Sequence, residues 1–292
     1  MGGHTTSSDT GRSVGFSAIR VDESRAERFD GGGFVDVHCH CLAGVDDGPA
    51  TMAESLELCR GLVEDGMTDV VATPHQLGRY SGCNEAAQIR DAVLSLNESL
   101  RGNSIPLSIY PGGDIRVDER ICELLEADKI LTLADGGRYV LLELPHEVFI
   151  NIEPLLVELC CRGIEAIITH PERHPALVGQ PKVLERWFRD YAHLQVTAGS
   201  FLGEFGPAAQ SAAWQFLGSG WVSLVATDSH DMGGRSPRMT AAYKQIATRF
   251  GEGKARLVCV ENPMMVLRSQ GMQPAGSRLL GKRTNERVFN IF

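Results

Sequence analysis

The sequence has no apolar run of about 18 residues, which is the length that a transmembrane helix needs. Residues 1–33 also lack the apolar core of a signal peptide. We therefore expect no membrane insertion. The net charge of −9 argues against general binding to nucleic acid or to an anionic membrane surface.

No Cys-x-x-Cys pair occurs among the eight cysteines. A chain of 292 residues can bury a core large enough to be stable without disulfides, so we expect reduced thiols and a cytoplasmic location. No cysteine has an arginine six positions later, which excludes the Cys-x5-Arg loop of cysteine-dependent phosphatases. No Gly-x-Gly-x-x-Gly follows a predicted strand and no Walker-type loop occurs, so nothing supports a nucleotide-binding fold.

Short apolar runs alternate with segments of helical periodicity after Gly33. Strands are predicted at about 34–38, 68–72, 107–111, 138–143, 164–168, 193–197 and 222–226. Helices are predicted at about 51–65, 85–101, 117–126, 152–162, 181–191, 207–219, 238–251 and 254–259. This alternation predicts an α/β fold with a parallel sheet covered by helices. Seven such units close most simply as a barrel, and an open doubly wound sheet is the alternative.

The domain is predicted to span 34–270, with further segments before and after it. Residues 1–33 are polar and rich in glycine and serine, which predicts a disordered leader that ends in a glycine linker. Residues 271–292 are predicted to form a tail, and its apolar end at 288–292 could dock on the domain.

A His-x-His pair, His38 and His40, ends the first predicted strand. Residues two apart on an extended segment point to the same side, so both imidazoles can reach one metal ion. The same alternation turns Cys39 and Cys41 away from that ion. Asp46 and Asp47 follow in a turn and offer carboxylates close to the pair.

Histidines and carboxylates recur at the carboxyl ends of the other predicted strands, where active sites of parallel α/β barrels lie. The full set of candidate ligands is His38, His40, Asp47, His75, Asp114, Glu143, His170, Asp228 and His230. These ligands exceed the needs of one ion and suit two or three, with Asp114 and Glu143 as bridging carboxylates. Mixed histidine and carboxylate ligation without thiolate predicts Mn, Fe or Zn, not Ca.

Clustered ions lower the pKa of a shared water, hold a nucleophilic hydroxide and clamp phosphoryl oxygens, so the predicted reaction is metal-assisted hydrolysis of a phosphate ester. Arg173 and Arg235 follow the fifth and seventh strands, and the guanidinium group suits phosphate oxygens. Arg79 and Arg238 are weaker candidates for the same role.

These residues resemble the motifs of the PHP (polymerase and histidinol phosphatase) superfamily. The similarity runs from about Val35 to Pro263 and is strongest to the bacterial tyrosine-protein phosphatases of the CpsB/YwqE type, which belong to capsule and exopolysaccharide gene clusters. The motifs are Asp36-Val-His-Cys-His40, Val45-Asp-Asp-Gly-Pro49, Ala72-Thr-Pro-His75, Gly113-Asp-Ile115, Leu142-Glu143, Thr169-His-Pro-Glu-Arg173, Thr227-Asp-Ser-His230, Gly234-Arg235 and Glu261-Asn-Pro263.

The resemblance implies a distorted seven-stranded (β/α) barrel of the PHP type with a trinuclear, usually Mn-dependent site. It implies a metal-bridged hydroxide as nucleophile, with Arg173 and Arg235 on the phosphate. The substrate it implies is a phosphotyrosine in the tail of a bacterial tyrosine autokinase that controls polysaccharide export. The three ligand sets it implies are His38, His40 and Asp228 for one ion, Asp114, Glu143 and His170 for a second, and Asp47, His75 and His230 for a third.

Two residues depart from the family pattern. Asp114 stands where glutamate is common, and a shorter side chain could loosen a bridge or alter the metal preference. His146 follows Glu143 and is interpreted as a loop residue, with a ligand or a substrate contact as alternatives.

Two other functions remain open. A small-molecule phosphomonoesterase, such as a histidinol-phosphate phosphatase, would use nearly the same metal chemistry. A non-catalytic metal-binding module is the third hypothesis, although none of its expected ligand losses occurs.

Overall fold

The computed structural model describes residues 33–146 and 148–274. Most of the predicted leader, its glycine linker up to Gly32, and the apolar segment 288–292 lie outside the described residues. The parallel strand segments of the described chain are β1 (Phe34–Cys39), β2 (Met67–Ala72), β3 (His75–Gln76), β4 (Ser108–Pro111), β5 (Asp114–Arg116), β6 (Tyr139–Glu143), β7 (Glu165–Thr169), β8 (Ala192–Thr197) and β9 (Val222–Ala226).

The strands pair in the orders β1-β2-β4 and β3-β5-β6-β7-β8-β9. Segments β2 and β3 continue one another across Thr73-Pro74, and β4 and β5 continue one another across Gly112-Gly113. A proline cannot donate to a strand ladder, which is consistent with the first break. Joining these pieces leaves seven barrel strands, as predicted.

The barrel closes between its last and first strands. A parallel bridge links Cys39 to Ser229. The amide of His40 donates to the Ser229 carbonyl over 2.9 Å, and the amide of Asp228 donates to the His38 carbonyl over 2.8 Å. This closure confirms the α/β barrel and excludes the open doubly wound sheet.

Helices pack around the barrel, and the last one contributes Met264, Val266 and Leu267 to its interior. Their bounds are α1 (Met52–Glu64), α2 (Ala86–Gly102), α3 (Ile121–Glu126), α4 (Glu153–Cys161), α5 (Pro175–Val178), α6 (Pro181–Asp190), α7 (Ala198–Leu202), α8 (Gly206–Gly218), α9 (Met239–Phe250), α10 (Glu252–Arg256) and α11 (Asn262–Leu267). The predicted capping box is present, since the Glu54 amide donates to Thr51 Oγ1 over 3.3 Å. None of the helices in 33–146 and 148–274 combines the length and the hydropathy that a membrane crossing requires.

Two apolar clusters fill the molecule, one between the strands and the helices and one inside the barrel. Between Asp36 and Cys39, β1 advances three residues while β2 advances two, an irregularity of the β-bulge type. Val35 and Val37 lie in the inner cluster by ordinary alternation, and the irregularity lets the next residue, His38, face the ligand groups as well. Cys39 packs in the outer cluster, as strand alternation predicted.

A partly buried polar group lies at the opposite, amino-terminal end of the strands. Glu165 accepts a hydrogen bond from His193 Nε2 over 2.8 Å and from Arg138 Nη2 over 2.8 Å. His193 Nδ1 lies 3.2 Å from the Ser223 hydroxyl. The group links β6, β7, β8 and β9, so we assign it to stability.

The Glu165 carboxylate should stabilise the fold only above acidic pH. The hydrogen bond from His193 lowers the pKa of Glu165 to about 2. A lowered folded pKa means that the contribution is complete above the unfolded pKa of about 4.3 and is lost as pH falls toward 2. We expect Glu165→Gln to cost about 1 kcal/mol at pH 7, after allowance for solvent screening, and nothing near pH 2.

Urea unfolding at pH 7, 4 and 2.5 measures this difference. Glu158→Gln is the matched control, because Glu158 pairs with Arg162 on an exposed helix face and should matter little at any of these pH values. An equal deficit for Glu165→Gln at pH 7 and pH 2.5 would contradict the assignment.

Candidate metal centre

The carboxyl ends of the strands bring all nine predicted ligands into one set of overlapping groups. Within each group the ligand atoms lie within 4.8 Å of one another. The groups are His38-His40-Asp228, His40-Asp47-His75-His230, His38-Asp114-His170, His75-Asp114-Glu143 and Glu143-His146-His170. The histidines and carboxylates at the predicted strand ends therefore lie together in the structure.

The first group has distances that suit one ion. The Nε2 atoms of His38 and His40 are 3.2 Å apart, and Asp228 Oδ1 lies 3.2 Å from the first and 3.5 Å from the second. Two ligand atoms that each lie about 2.0–2.2 Å from one ion, with a right or near-tetrahedral angle between them at the ion, are about 3.0–3.6 Å apart. This group has the same members as the first expected set.

The third expected set also comes together. Asp47 Oδ1 lies 3.3 Å from His75 Nε2 and 3.5 Å from His230 Nε2. His40 belongs to this group as well as to the group with His38 and Asp228, so its imidazole lies between the two groups.

The second expected set is spread over three groups. Asp114 Oδ2 is 3.1 Å from His75 Nδ1 and 3.8 Å from His38 Nε2, so its shorter side chain still reaches ligands on two sides. Glu143 groups with His75 and Asp114 on one side and with His170 and His146 on the other. His146, interpreted above as a loop residue, lies beside the ligands.

Hydrogen bonds set the orientation of three imidazoles. Gln195 Oε1 is 2.9 Å from His38 Nδ1, and Asp46 Oδ2 is 2.6 Å from His40 Nδ1. His230 Nδ1 is 3.0 Å from the Asp228 carbonyl. Because Nδ1 donates in each case, Nε2 carries a lone pair that is available to a metal ion.

The donor set fits cations. The lone pairs of His38 and His40 would face each other over 3.2 Å and repel without a positive charge between them. Asp114 Oδ1, Asp228 Oδ1 and His230 Nε2 are buried and have no hydrogen-bond partner among the described residues. Unpaired buried polar atoms are costly, and metal ions at the group centres would satisfy them.

The ionisation of the side chains reflects the same crowding. Burial alone would lower the pKa of His75, but hydrogen bonds to Asp114 and Asp47 raise it to about 11. Burial and the neighbouring Asp114 carboxylate raise the pKa of Glu143 to about 7. A protonated His75 thus supplies positive charge among the carboxylates of the metal-free protein.

Two ligand positions have left-handed backbone conformations. His170 has φ of 32° and Asp228 has φ of 54°, both unusual for residues other than glycine. Such conformations cost about 1–3 kcal/mol and persist where the surrounding structure holds them. They aim the two side chains from the ends of β7 and β9 toward the centre.

A cleft of about 980 Å³ opens over the ligands. Arg173 Nη1 and Arg235 Nη2 each donate to Asp228 Oδ2 over 2.7 Å and line this cleft. Arg79 also lines it, whereas Arg238 pairs with Glu204.

Several residues of the site were not predicted. Gln195 and Asp46 orient ligands, Arg116 lines the cleft beside Glu143, and Phe205 lies under the Arg173 guanidinium at 4.5 Å. Asp46 had been noted only as part of a turn with two carboxylates, and the other three carry no local sequence signal.

Comparisons with known proteins identify the family of this chain. Residues 34–268 match the family model described as capsular polysaccharide synthesis, CpsB/CapC. The chain belongs to the CpsB/CapC family. A CpsB/CapC relative, the tyrosine-protein phosphatase YwqE of Bacillus subtilis (strain 168), is 32% identical over 238 residues, which cover 81% of this chain and 92% of YwqE. The tyrosine-protein phosphatase CpsB of Streptococcus pneumoniae is 30% identical over 244 residues, which cover 81% of this chain and 99% of CpsB.

A solved structure supports the same family assignment. The structure comes from a set of crystal structures of YwqE and CpsB, which are described as metal-dependent tyrosine phosphatases. It superposes on this chain with a TM-score of 0.79 at 31% identity. The match covers 82% of this chain and 97% of that one. The matched chain therefore shares the barrel fold with this chain.

Proposed function

We propose that the chain is a metal-dependent protein-tyrosine phosphatase. The observation that carries the proposal is the meeting of nine metal-ligand candidates, five of which line one cleft together with Arg173 and Arg235. The proposed ions are two or three Mn, with Fe or Zn as alternatives. The proposed substrate is a phosphotyrosine in a protein, most simply a bacterial tyrosine autokinase in the cytoplasm.

The ions, when bound, supply a water of lowered pKa as the nucleophile and positive charge for the phosphoryl oxygens. The His38, His40 and Asp228 side chains would hold one ion, and Asp47, His75 and His230 another. Asp114 and Glu143 each belong to two groups and would be the shared carboxylates.

Arg173 and Arg235 would bind the phosphate. Both guanidinium groups are held by the same oxygen of Asp228, so they converge from two sides. Arg235 Nε is buried and has no hydrogen-bond partner among the described residues, which leaves a donor for a phosphate oxygen. Charge-assisted hydrogen bonds of this kind stabilise the charge that develops in the transition state.

The cleft also suits an aromatic leaving group. Tyr80, Leu77, Val178 and Phe205 form apolar parts of its wall. A phenol has a pKa near 10 and leaves more easily than an alcohol, so little acid assistance is required. These features favour phosphotyrosine over phosphoserine or phosphothreonine.

Phosphotyrosine peptide hydrolysis by metal-stripped protein tests the proposal, with Mn, Zn, Fe(II), Mg or nothing added back. We expect Mn to restore activity in the wild type and not in His38→Ala, because that variant loses an imidazole shared by two groups. His4→Ala, which removes an imidazole outside the described residues, is the control and should behave as wild type. Activity without added metal would contradict the proposal.

A second substrate separates the alternative functions. Faster hydrolysis of histidinol phosphate than of the phosphotyrosine peptide would identify a small-molecule phosphomonoesterase. Tight metal binding without hydrolysis of either substrate would identify a non-catalytic module.

A further inference from the structure

We propose that His146 is a further metal ligand, which joins Glu143 and His170 at the outer end of the centre. This inference rests on the metal centre of the proposed function and extends it by a residue outside the nine ligands above. Glu143 and His170 converge with His146, whereas Asp114 converges with His170 and His38.

The distances place the three side chains around one point. Glu143 Oε1 lies 4.0 Å from His146 Nε2 and 3.9 Å from His170 Nε2. The two imidazole rings are stacked, with centroids 5.4 Å apart and an angle of 17° between their planes. Ligands of one ion lie about 3.0–3.6 Å apart, so movements of a few tenths of an ångström would close the group on an ion.

The two oxygens of Glu143 face different partners. Oε1 faces His146 and His170, and Oε2 lies 3.7 Å from His75 Nδ1 and 3.5 Å from Arg116 Nε. A carboxylate with this arrangement can give one oxygen to each of two ions. Glu143 would therefore bridge the inner position, shared with His75 and Asp114, and the outer position with His146.

The loop that carries His146 is held in place from two sides. The carbonyl of Leu144 accepts from Arg116 Nη1 over 2.9 Å, and the carbonyl of Pro145 accepts from His174 Nε2 over 2.7 Å. His174 Nδ1 accepts from the Leu177 amide, so its proton is on Nε2 and points at the loop. These bonds place His146 over His170 before any ion binds.

The ligand types and the exposure describe the ion that fits. Two imidazoles and one carboxylate suit Mn, Fe or Zn and leave coordination positions for water or a phosphate oxygen. The His146 side chain is 39% exposed, far more than the buried His170. The outer position should therefore exchange its ion with solvent more readily than the inner ones.

Titration of the metal-stripped protein with Mn(II), followed by the electron paramagnetic resonance signal of free Mn(II), tests the assignment. We expect His146→Ala and His146→Gln to weaken the lowest-affinity class of Mn(II) sites by about 10-fold or more and to leave the tighter classes unchanged. His4→Ala should give the wild-type isotherm. A His146→Ala isotherm that superimposes on the wild-type one would overturn the proposal.

A spectroscopic measurement distinguishes a ligand from a residue that only supports the loop. In protein labelled with ¹⁵N at histidine and loaded with ¹¹³Cd, we expect a one-bond coupling between the metal and His146 Nε2. Couplings to the other histidines without one to His146 would overturn the proposal. Absence of all metal binding in the wild type would instead overturn the metal centre itself, so the two failures are distinguishable.

Discussion

Asp228→Asn is expected to lower phosphotyrosine turnover by about 10³-fold or more and to weaken metal binding in the same variant. Asp228 Oδ1 faces His38 and His40, while Oδ2 holds Arg173 and Arg235. An amide keeps the shape of the side chain but removes the charge that all four partners need. The loss of a ligand and the release of two phosphate-binding groups should therefore coincide.

Steady-state rates on a phosphotyrosine peptide, together with the metal content after dialysis, measure this effect. Asp118→Asn is a matched control, because Asp118 pairs with Arg120 on the surface and has no role in the centre. Retention of more than a tenth of the wild-type rate by Asp228→Asn would show that Asp228 is not a ligand.

Arg173→Ala and Arg235→Ala are each expected to reduce turnover by about 10²-fold while the metal content stays at the wild-type value. Neither guanidinium belongs to a ligand group, so the ions should remain. Lysine at either position keeps the charge but loses the two-pronged geometry, and we expect it to recover only part of the rate.

The control for the arginine variants is Arg238→Ala, since Arg238 pairs with Glu204 instead of Asp228. Unchanged rates in both Arg173→Ala and Arg235→Ala would remove their assigned role. A loss of metal in either variant would show that the arginines support the ligands and not the phosphate.

The positions of the predicted strand ends were sufficient for the fold and for which side chains come together at one end of the barrel. Buried parallel strands have short apolar runs, and the residue after each run must lie at one end of the barrel. His75 after β2 and His170 after β7 could therefore be placed together although 95 positions separate them in the sequence. The capping box at Thr51 likewise marked the start of α1 to within a residue.

Other parts could not be predicted because their signal is not local. Gln195 contacts His38 across 157 positions, and nothing in the sequence around either residue indicates the contact. The segments β3 and β5 have two and three residues, too few for a period to appear. The helix α11 is also short and carries apolar residues on all sides, because it packs against both β1 and β9.

The position of His146 shows the same limit. Its loop is fixed by a hydrogen bond from His174, which lies in the next βα connection. The interpretation as an ordinary loop residue followed from the local sequence, and only the tertiary contact places the imidazole beside Glu143 and His170.

The closing seam of the barrel has a consequence for biosynthesis. His38 and His40 end the first strand, Asp228 and His230 follow the last, and backbone hydrogen bonds join the two edges across about 190 positions. A chain emerging from the ribosome folds from its amino terminus, so the two groups that contain Asp228 and His230 stay incomplete until the last strand is made. An ion captured at this seam therefore marks a finished barrel, and a truncated chain that ends before Asp228 cannot retain it there.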